Sequence, residues 1–204
     1  MLNNLFRIFL KSHRIKAILR IIQEIDNQEK CSQVVLKNEA KLYPESKIFN
    51  IQGNPKSILI NGNTHVKGEL LVFGYGGKIE IGMNCYIGEG TRIWSSNFVH
   101  IGNDVLVSHN CNIIDTDSHE LNYEERASSF KNLIEKGHSK TKLNVKDAPI
   151  IIEDNAWISY NVSIMKGVKI GKGSIIGAGS VVTKDVPEFT LWAGNPAKQI
   201  KSLR

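Results

Sequence analysis

The chain has 204 residues, of which 41% are hydrophobic and 7% aromatic, and its formal net charge is +6 at pH 7. This length suits one domain with one continuous core. Its three cysteines contain no CxxC pair, which indicates free thiols in a reducing compartment and excludes a disulfide scaffold and a structural zinc site. No apolar run approaches the ~20 residues of a membrane span, so we expect a cytoplasmic protein.

Residues 1–28 differ in pattern from the rest of the chain. Apolar residues on one helical stripe predict an amphipathic helix over residues 14–26: Ile15, Ile18, Leu19, Ile22 and Ile25. The first twenty residues carry five basic side chains and no acidic one. The helix could rest on an anionic membrane surface, which would make the protein membrane-peripheral, or pack on its own β-domain or a partner subunit. The pattern leaves both roles open.

An aliphatic residue then returns at every sixth position, with short interruptions. The positions are Ile60, Val66, Val72, Ile81, Ile87, Ile93, Ile101, Val107, Ile113, Ile152, Ile158, Ile164, Ile170, Ile176 and Val182. A period of six spreads residues over three faces of a helix but keeps them on one face of a strand. The spacing therefore predicts a parallel β-helix of short strands, with three hexads in each coil. Gly82, Gly88 and Gly102 follow inward aliphatics, where a sharp corner would suit glycine.

The hexads stop in residues 120–149, which are rich in charge. A long loop after the third clear coil is typical of a functional loop or a partner-contacting arm. We expect residues 188–204 to form a cap that covers the last coil. The predicted organisation is an N-terminal helical segment (1–40), a β-helix (41–187, with the inserted loop 120–149) and a C-terminal cap (188–204).

The run IGKGSIIGAGSVVTKDVPEFTLWAGNPAKQI at residues 170–200, with IIEDNAWISYNVSIMKGVKIG before it, resembles the hexapeptide-repeat acyltransferases. The segment DTDSHE and the loop after it are most similar to the branch that acetylates capsular, colanic-acid or O-antigen sugars, beside the maltose and galactoside enzymes. The resemblance implies a left-handed β-helix and acetyl-CoA as acyl donor. It also implies a sugar or glycan acceptor, polysaccharide biosynthesis and a homotrimer with sites between adjacent prisms.

Acyl transfer from a thioester to a hydroxyl needs a base, donors for the tetrahedral oxyanion and a grip on the acyl carrier. His119 follows the third clear coil where the repeat breaks, so it should project into a cleft, and imidazole suits proton abstraction near neutrality. The resemblance also places the catalytic histidine of the family at His119. Asp117, Glu120 or a backbone carbonyl could orient its ring. We expect the other histidines to be structural or solvated: His13, His65, His100, His109 and His138.

The coenzyme should lie along stacked positions eighteen residues apart, such as Lys166 with Lys184 and Tyr160 with Ala178. A small side chain at Ala178 would leave room for a linear pantetheine chain, and the two lysines could neutralise phosphates. The resemblance implies coenzyme contacts at Ala178, Thr183 and Lys184. The family has a serine near the oxyanion where this chain has Tyr160. We therefore expect backbone amides around Ser159 and Tyr160 to stabilise the oxyanion.

Aromatic, hydroxyl and amide groups near the predicted cleft suit a sugar acceptor, and the candidates are Trp94, Ser96, Asn97 and Tyr123. A related β-helix class, the γ-type carbonic anhydrases, needs three histidines with two of them five apart on one coil, but no HxxxxH occurs in this sequence, so no metal is expected. No basic-aromatic platform for nucleic acid is present either. Three functions fit the sequence. The resemblance favours O-acetylation of a sugar, and the alternatives are N-acetylation of an amino sugar and a non-catalytic trimeric scaffold.

Overall fold

The structure is a computed structural model that describes residues 13–204, with side-chain environments from residue 15 onward. Short strands repeat in six coils of three: β1 (Val35–Leu36), β2 (Lys41–Leu42), β3 (Lys47–Asn50); β4 (Ile58–Ile60), β5 (His65–Val66), β6 (Glu69–Val72); β7 (Ile79–Ile81), β8 (Tyr86–Ile87), β9 (Arg92–Ser95); β10 (Val99–Ile101), β11 (Leu106–Val107), β12 (Asn112–Ile114); β13 (Ile150–Ile152), β14 (Trp157–Ile158), β15 (Ser163–Ile164); β16 (Lys169–Ile170), β17 (Ile175–Ile176) and β18 (Val181–Val182). A 3₁₀ turn, Pro55–Ser57, precedes β4.

Each coil contributes one strand to each of three sheets. The first sheet has the order β1-β4-β7-β10-β13-β16, the second contains β2-β5-β8-β11-β14-β17, and the third has the order β18-β15-β12-β9-β6-β3. Pairing between successive coils is parallel throughout these strands, which confirms the predicted parallel β-helix. Its left-handed sense stays a prediction from the resemblance.

The core of the β-helix lies on the hexad positions. Every predicted inward aliphatic is 0–1% exposed, and the eighteen-residue stacking is confirmed by pairs such as Ile152 with Ile170. One position differs from the count. Val72 pairs with Ser95, whereas Leu70 pairs with Ile93, so Leu70 is the residue that continues the stack in this strand.

Gly82 and Gly88 meet a different requirement from the one predicted. A Cβ at Gly82 would lie 2.4 Å from the carbonyl oxygen of Gly102, and one at Gly88 would lie 2.6 Å from the carbonyl carbon of Ser108. The left-handed corner conformation falls instead on residues such as Asn155, with a φ of 60°, because asparagine tolerates that region. The close approach of the next coil therefore selects glycine at these positions.

A helix, α1 (His13–Ser32), precedes the first coil, and residues 1–12 of the predicted basic segment lie outside the described residues. Lys30 near the end of α1 donates to the carbonyl oxygen of Pro44 at 3.0 Å. Four residues of the apolar stripe are 47–59% exposed: Ile18, Leu19, Ile22 and Ile25. These four side chains therefore do not pack on the β-domain of their own chain. Across residues 13–204, no helix is long and apolar enough to span a membrane.

The chain leaves the β-helix after β12 and returns at β13, and we call residues 115–149 the arm. The predicted loop contains a helix, α2 (Tyr123–Lys136). The side chain of Asn122 accepts from the amides of Glu124 and Glu125 at 2.9 and 3.1 Å, and Gly137 with a φ of 79° ends the helix. Both residue types are common helix caps, so the sequence itself marks the two ends of α2.

An antiparallel hairpin follows the last coil, formed by β19 (Thr190–Gly194) and β20 (Ala197–Ser202). β19 pairs in parallel with β17 and so extends the second sheet by one strand. Leu191 and Trp192 of β19 lie beside Ile175 and Ile176. The first coil, at the other end, begins at Val35, within the range that the sequence analysis assigns to the helical segment.

Candidate functional site

The stem of the arm joins its two ends by backbone hydrogen bonds. Asp117 donates its N–H to the carbonyl of Lys146 at 2.9 Å, and Ala148 donates to the carbonyl of Asp115 at 3.0 Å. An antiparallel bridge pairs Thr116 with Asp147, on the segment that returns to β13. The segment that leads to His119 is therefore held by the chain that returns to β13.

A buried carboxylate, Asp115, fixes the stem on the preceding coil. It accepts from the Ser95 hydroxyl at 2.7 Å and from the amides of Ser96 and Asn97 at 2.7 and 3.0 Å. Burial raises the pKa of Asp115 above its ordinary value, although these hydrogen bonds oppose the rise. An acid that is buried in this way depends on its donors to remain in place.

A second carboxylate, Asp147, lies on the segment that returns to β13 and fixes that segment to the same turn. It accepts from the Ser96 hydroxyl at 3.0 Å and the Asn97 amide group at 3.1 Å, and pairs with Lys142 at 2.7 Å. Burial works to raise the pKa of Asp147, but the hydrogen bonds from Lys142, Asn97 and Ser96 outweigh it and hold the pKa below its ordinary value. The polar groups of Ser96 and Asn97, which the sequence suggests as acceptor ligands, are thus used to hold the arm.

His119 opens onto a cleft of about 440 Å³ between the β-helix and the arm. Trp94 lines this cleft as predicted, and its indole N–H donates to Glu69 at 2.8 Å. Tyr123 does not line it, because its side chain is 69% exposed and its hydroxyl donates to Glu124. The other lining residues are not predicted as site residues, since no spacing marks them; they include Phe73, Tyr75, Leu133, Lys136 and His138.

Neither carboxylate beside His119 holds its imidazole. Asp117 forms an ion pair with Lys166 through Oδ1. Glu120 is 3% exposed and accepts from the Ser129 hydroxyl at 2.5 Å, while its Oε2 has no hydrogen-bond partner within the described chain. These carboxylates fix the backbone on either side of the histidine instead. The His119 backbone itself is turned by a hydrogen bond from its N–H to the Asp117 carbonyl at 2.7 Å.

The predicted coenzyme residues stack as expected but on two corners of the prism. Ser159, Tyr160 and Ala178 lie between the second and third sheets, whereas Lys166, Thr183 and Lys184 lie between the third and first sheets. His119 shares the second of these corners. One chain therefore does not bring all six coenzyme candidates together with the histidine, and the outer face of the third sheet separates the two groups.

The free hydrogen-bonding groups differ between these candidates. The Ser159 amide donates to the carbonyl of Ile176 at 3.0 Å, so it is not available to an oxyanion. Across the described backbone, the amides of Tyr160 and Ala178 donate to no other residue. The Tyr160 ring stacks on His109 with centroids 5.4 Å apart.

The two lysines also differ. Lys166 forms an ion pair with Asp117 rather than the contact with coenzyme phosphates that the sequence suggests. Lys184 is exposed and forms no ion pair with any described residue. In residues 13–204, no group of three or more His, Cys, Asp or Glu side chains is placed to hold a metal ion.

Comparison with known proteins identifies similar chains of related activity. Residues 149–184 match the family of bacterial transferase hexapeptide repeats (six repeats). Polysialic acid O-acetyltransferase of Escherichia coli O1:K1 / APEC is 42% identical over 146 residues, which cover 71% of this chain and 42% of that protein. Galactoside O-acetyltransferase of Escherichia coli (strain K12) is 35% identical over 131 residues, or 64% of this chain and 57% of that one. The chain spans about half the length of these relatives.

One solved structure has a similar fold over most of both chains. AntD, an N-acyltransferase from Bacillus cereus in complex with dTDP and 3-hydroxybutyryl-CoA, has a TM-score of 0.67 and covers 88% of each chain. Its sequence is 17% identical, so this likeness concerns the fold alone.

Proposed function

Because the chain carries the hexapeptide repeat of the bacterial transferases and is similar to sugar O-acetyltransferases, we propose that it is an acetyl-CoA-dependent O-acetyltransferase. The acceptor is a hydroxyl of a sugar or of a cell-surface polysaccharide precursor, and the reaction takes place in the cytoplasm. The observation that carries this proposal is the position of His119, which opens onto a cleft lined by Trp94 and large enough for a sugar ring.

His119 acts as general base in a direct transfer. An imidazole nitrogen takes the proton of the acceptor hydroxyl, and the oxygen attacks the thioester carbonyl carbon. The tetrahedral intermediate then collapses, the C–S bond breaks, and the departing thiolate takes the proton back from the imidazolium. A single histidine therefore suffices for both proton transfers, and no covalent bond to the enzyme forms.

The coenzyme is held by the stacked coils. The exposed Lys184 pairs with a phosphate, because it has no competing carboxylate among the described residues. Ala178 leaves the surface of its corner open to the pantetheine chain, and its unengaged amide, with that of Tyr160, is available as a donor. We keep Thr183 and Lys184 as coenzyme contacts at one corner, and Ala178 and Tyr160 at the other.

Association of chains would bring the two corners together. Tyr86, Leu106 and Trp157 lie side by side on the second sheet and are 38–44% exposed. A ladder of large apolar side chains on a flat sheet is typical of a surface that another subunit covers. We therefore propose a homotrimer in which the site forms between the prisms of adjacent subunits, so that the corner with Tyr160 and Ala178 of one chain faces His119 of its neighbour.

The apolar stripe of α1 is proposed to bind an anionic membrane surface. Its aliphatic side chains are exposed, and Lys16 and Arg20 are exposed on the neighbouring turns of the helix. A helix with an apolar face and basic flanks lies in the interface of an anionic bilayer. The enzyme would then work in the cytoplasm at the membrane surface, where polysaccharide precursors are carried.

Acetyl transfer by the full chain tests the proposed function. We expect the wild-type protein to release free coenzyme A from acetyl-CoA only when a glycan acceptor is present, and mass spectrometry to find the added acetyl group on an oxygen. His119→Ala should lower kcat by about 10²–10⁴-fold. The matched control is His100→Ala, because His100 lies on the outer wall beside Glu80 and should leave turnover unchanged.

An amine acceptor distinguishes the N-acetylation alternative. Turnover of an amino sugar at a rate equal to or above that of its hydroxyl analogue would overturn O-acetylation. Unchanged turnover in His119→Ala would overturn the assignment of the base. The scaffold alternative requires that acetyl-CoA does not bind, so saturable binding in a calorimetric titration would exclude it.

A further inference from the structure

The cleft beside His119 has two walls of different chemistry. The β-helix provides the aromatic wall, where Phe73 and Tyr75 stack with ring centroids 5.3 Å apart and Trp94 is held by Glu69. The arm provides the second wall with Leu133, the end of α2 and the turn after it. An aromatic wall suits the apolar face of a sugar ring, and a volume of about 440 Å³ accommodates more than one ring.

The ionisable side chains that line this cleft include no acid. Those from the described residues are Tyr75, His119, Lys136 and His138. Lys136 donates one hydrogen bond to Asn132 at 3.3 Å, and an ammonium group has two further donors. The nearby acids do not line the cleft and accept hydrogen bonds from other groups: Asp115 and Asp147 from Ser95 and Ser96, Glu120 from Ser129 and Glu69 from the Trp94 indole.

These acids act on the cleft through Tyr75. Burial raises the pKa of Tyr75 to about 12, and Asp147, Asp115 and Glu120 add to the rise. The phenol keeps its proton at neutral pH and can donate a hydrogen bond. Among the described residues, the cleft thus presents hydrogen-bond donors and the Lys136 ammonium group to its occupant, beside an aromatic surface.

We propose that the arm cleft selects an anionic glycan, with Lys136 and His138 binding the negative group while Trp94 and Tyr75 contact the sugar ring. The proposal rests on the proposed acetyl transfer, since it places the acceptor hydroxyl beside His119. The negative group is a carboxylate or a phosphate. Both are bound by the same charge-assisted hydrogen bonds.

Binding of matched glucose derivatives in the absence of acetyl-CoA tests this proposal. The probes are methyl β-glucuronoside, glucose 6-phosphate and methyl β-glucoside, which carry a carboxylate, a phosphate and no charge on one ring type. Titration of the full chain, followed by saturation-transfer NMR, gives the relative affinities. We expect at least one anionic probe to bind about fivefold more tightly than the neutral one, a difference typical of a partly exposed charge pair. The anionic probe that binds more tightly shows whether the negative group of the acceptor is a carboxylate or a phosphate.

Two variants locate the effect in the cleft. Lys136→Met should remove the preference for the anion, whereas Lys131→Met, an exposed lysine on the same helix that does not line the cleft, should keep it. Equal affinity for all three probes, no binding of any probe, or an unchanged preference in Lys136→Met would each overturn the proposal. Because the binding measurement contains no acetyl-CoA, its outcome does not depend on the acetyl-transfer assay that tests the proposed function.

Discussion

Lys166 on the fifth coil and Asp117 on the stem of the arm form an ion pair. Their side chains are 28% and 22% exposed, so the pair is partly shielded from solvent. Asp117 lies two residues before His119 and accepts a hydrogen bond from its backbone N–H. The fifth coil therefore holds the segment that carries the proposed base.

This pair gives Lys166 a different role from the phosphate contact that the sequence suggests. We expect Lys166→Met to lower kcat by about tenfold, because a small displacement of a base costs rate, while the KM for acetyl-CoA stays unchanged. The charge exchange Lys166→Asp with Asp117→Lys should recover part of kcat. A rise in the KM for acetyl-CoA with kcat preserved would instead support the phosphate contact.

The stability of the arm should depend on pH through Asp147. Its pKa is lowered in the folded protein, so its contribution is fully present above the ordinary aspartate pKa of about 3.9 and is lost as the pH falls through the lower folded value. We expect Asp147→Asn to reduce the free energy of unfolding by about 1–2 kcal/mol at pH 7, the size of a hydrogen bond to a charged group. The difference from wild type should shrink below pH 4.

Urea denaturation followed by tryptophan fluorescence, at pH 7 and pH 3, measures this difference. The control is Glu135→Gln, since Glu135 is exposed on α2 and forms no ion pair in the described structure. A penalty for Asp147→Asn that is the same at both pH values would contradict the assignment.

The apolar ladder of the second sheet should control the oligomeric state. Leu106→Lys places a charge between Tyr86 and Trp157, where burial by a partner would leave it unpaired. We expect analytical ultracentrifugation to show a trimer for the wild type and monomers for this variant. Met83→Lys is the matched control, because Met83 is 51% exposed but lies outside the ladder strands. Trimers of Leu106→Lys would place the interface elsewhere.

Membrane binding by α1 should depend on its apolar stripe. We expect wild-type protein to co-sediment with vesicles of phosphatidylglycerol and phosphatidylcholine, but not with phosphatidylcholine alone, because the basic flanks need anionic lipid. Ile22→Glu should lower the bound fraction about tenfold, since it places a charge where the exposed aliphatic side chain would enter the bilayer. Ala17→Glu adds the same charge on the far side of the helix and should have a weaker effect. If the wild-type protein does not bind vesicles and Ile22→Glu no longer forms oligomers, the stripe would instead be a contact with a second copy of the chain.

Much of the β-helix could be predicted because its contacts repeat along the chain. A strand position fixes which side a residue faces, and the count of six then identifies residues such as Ile158 and Ile176 as stacked core partners. The count is less regular in β6, where Leu70 pairs with Ile93 and Val72 with Ser95, so that both residues face the core. Local pattern is enough where each coil contacts only its neighbours.

The site was harder to predict because its contacts do not repeat. His119 and Trp94 line one cleft, but the roles assigned to them from the break in the repeat and from side-chain chemistry stay predictions. Ser96 and Asn97 were assigned to the acceptor, but they bind Asp147, about fifty residues further on. Nothing in the spacing links those positions. The partner of Lys166 was hidden for the same reason, since the arm brings Asp117 back over the coils.

The arm interrupts the chain without interrupting the stack. Val99 pairs with Ile150 and Asn112 with Ser163, so the fourth and fifth coils are in the same parallel register as uninterrupted coils. The ends of the excursion are fastened to each other at residues 115–117 and 146–148. A lineage could therefore exchange the part of the arm beyond His119, such as α2, for a segment of another length and retain both the prism and the proposed base. Acceptor choice could diversify in this way while the coenzyme corners stay as they are.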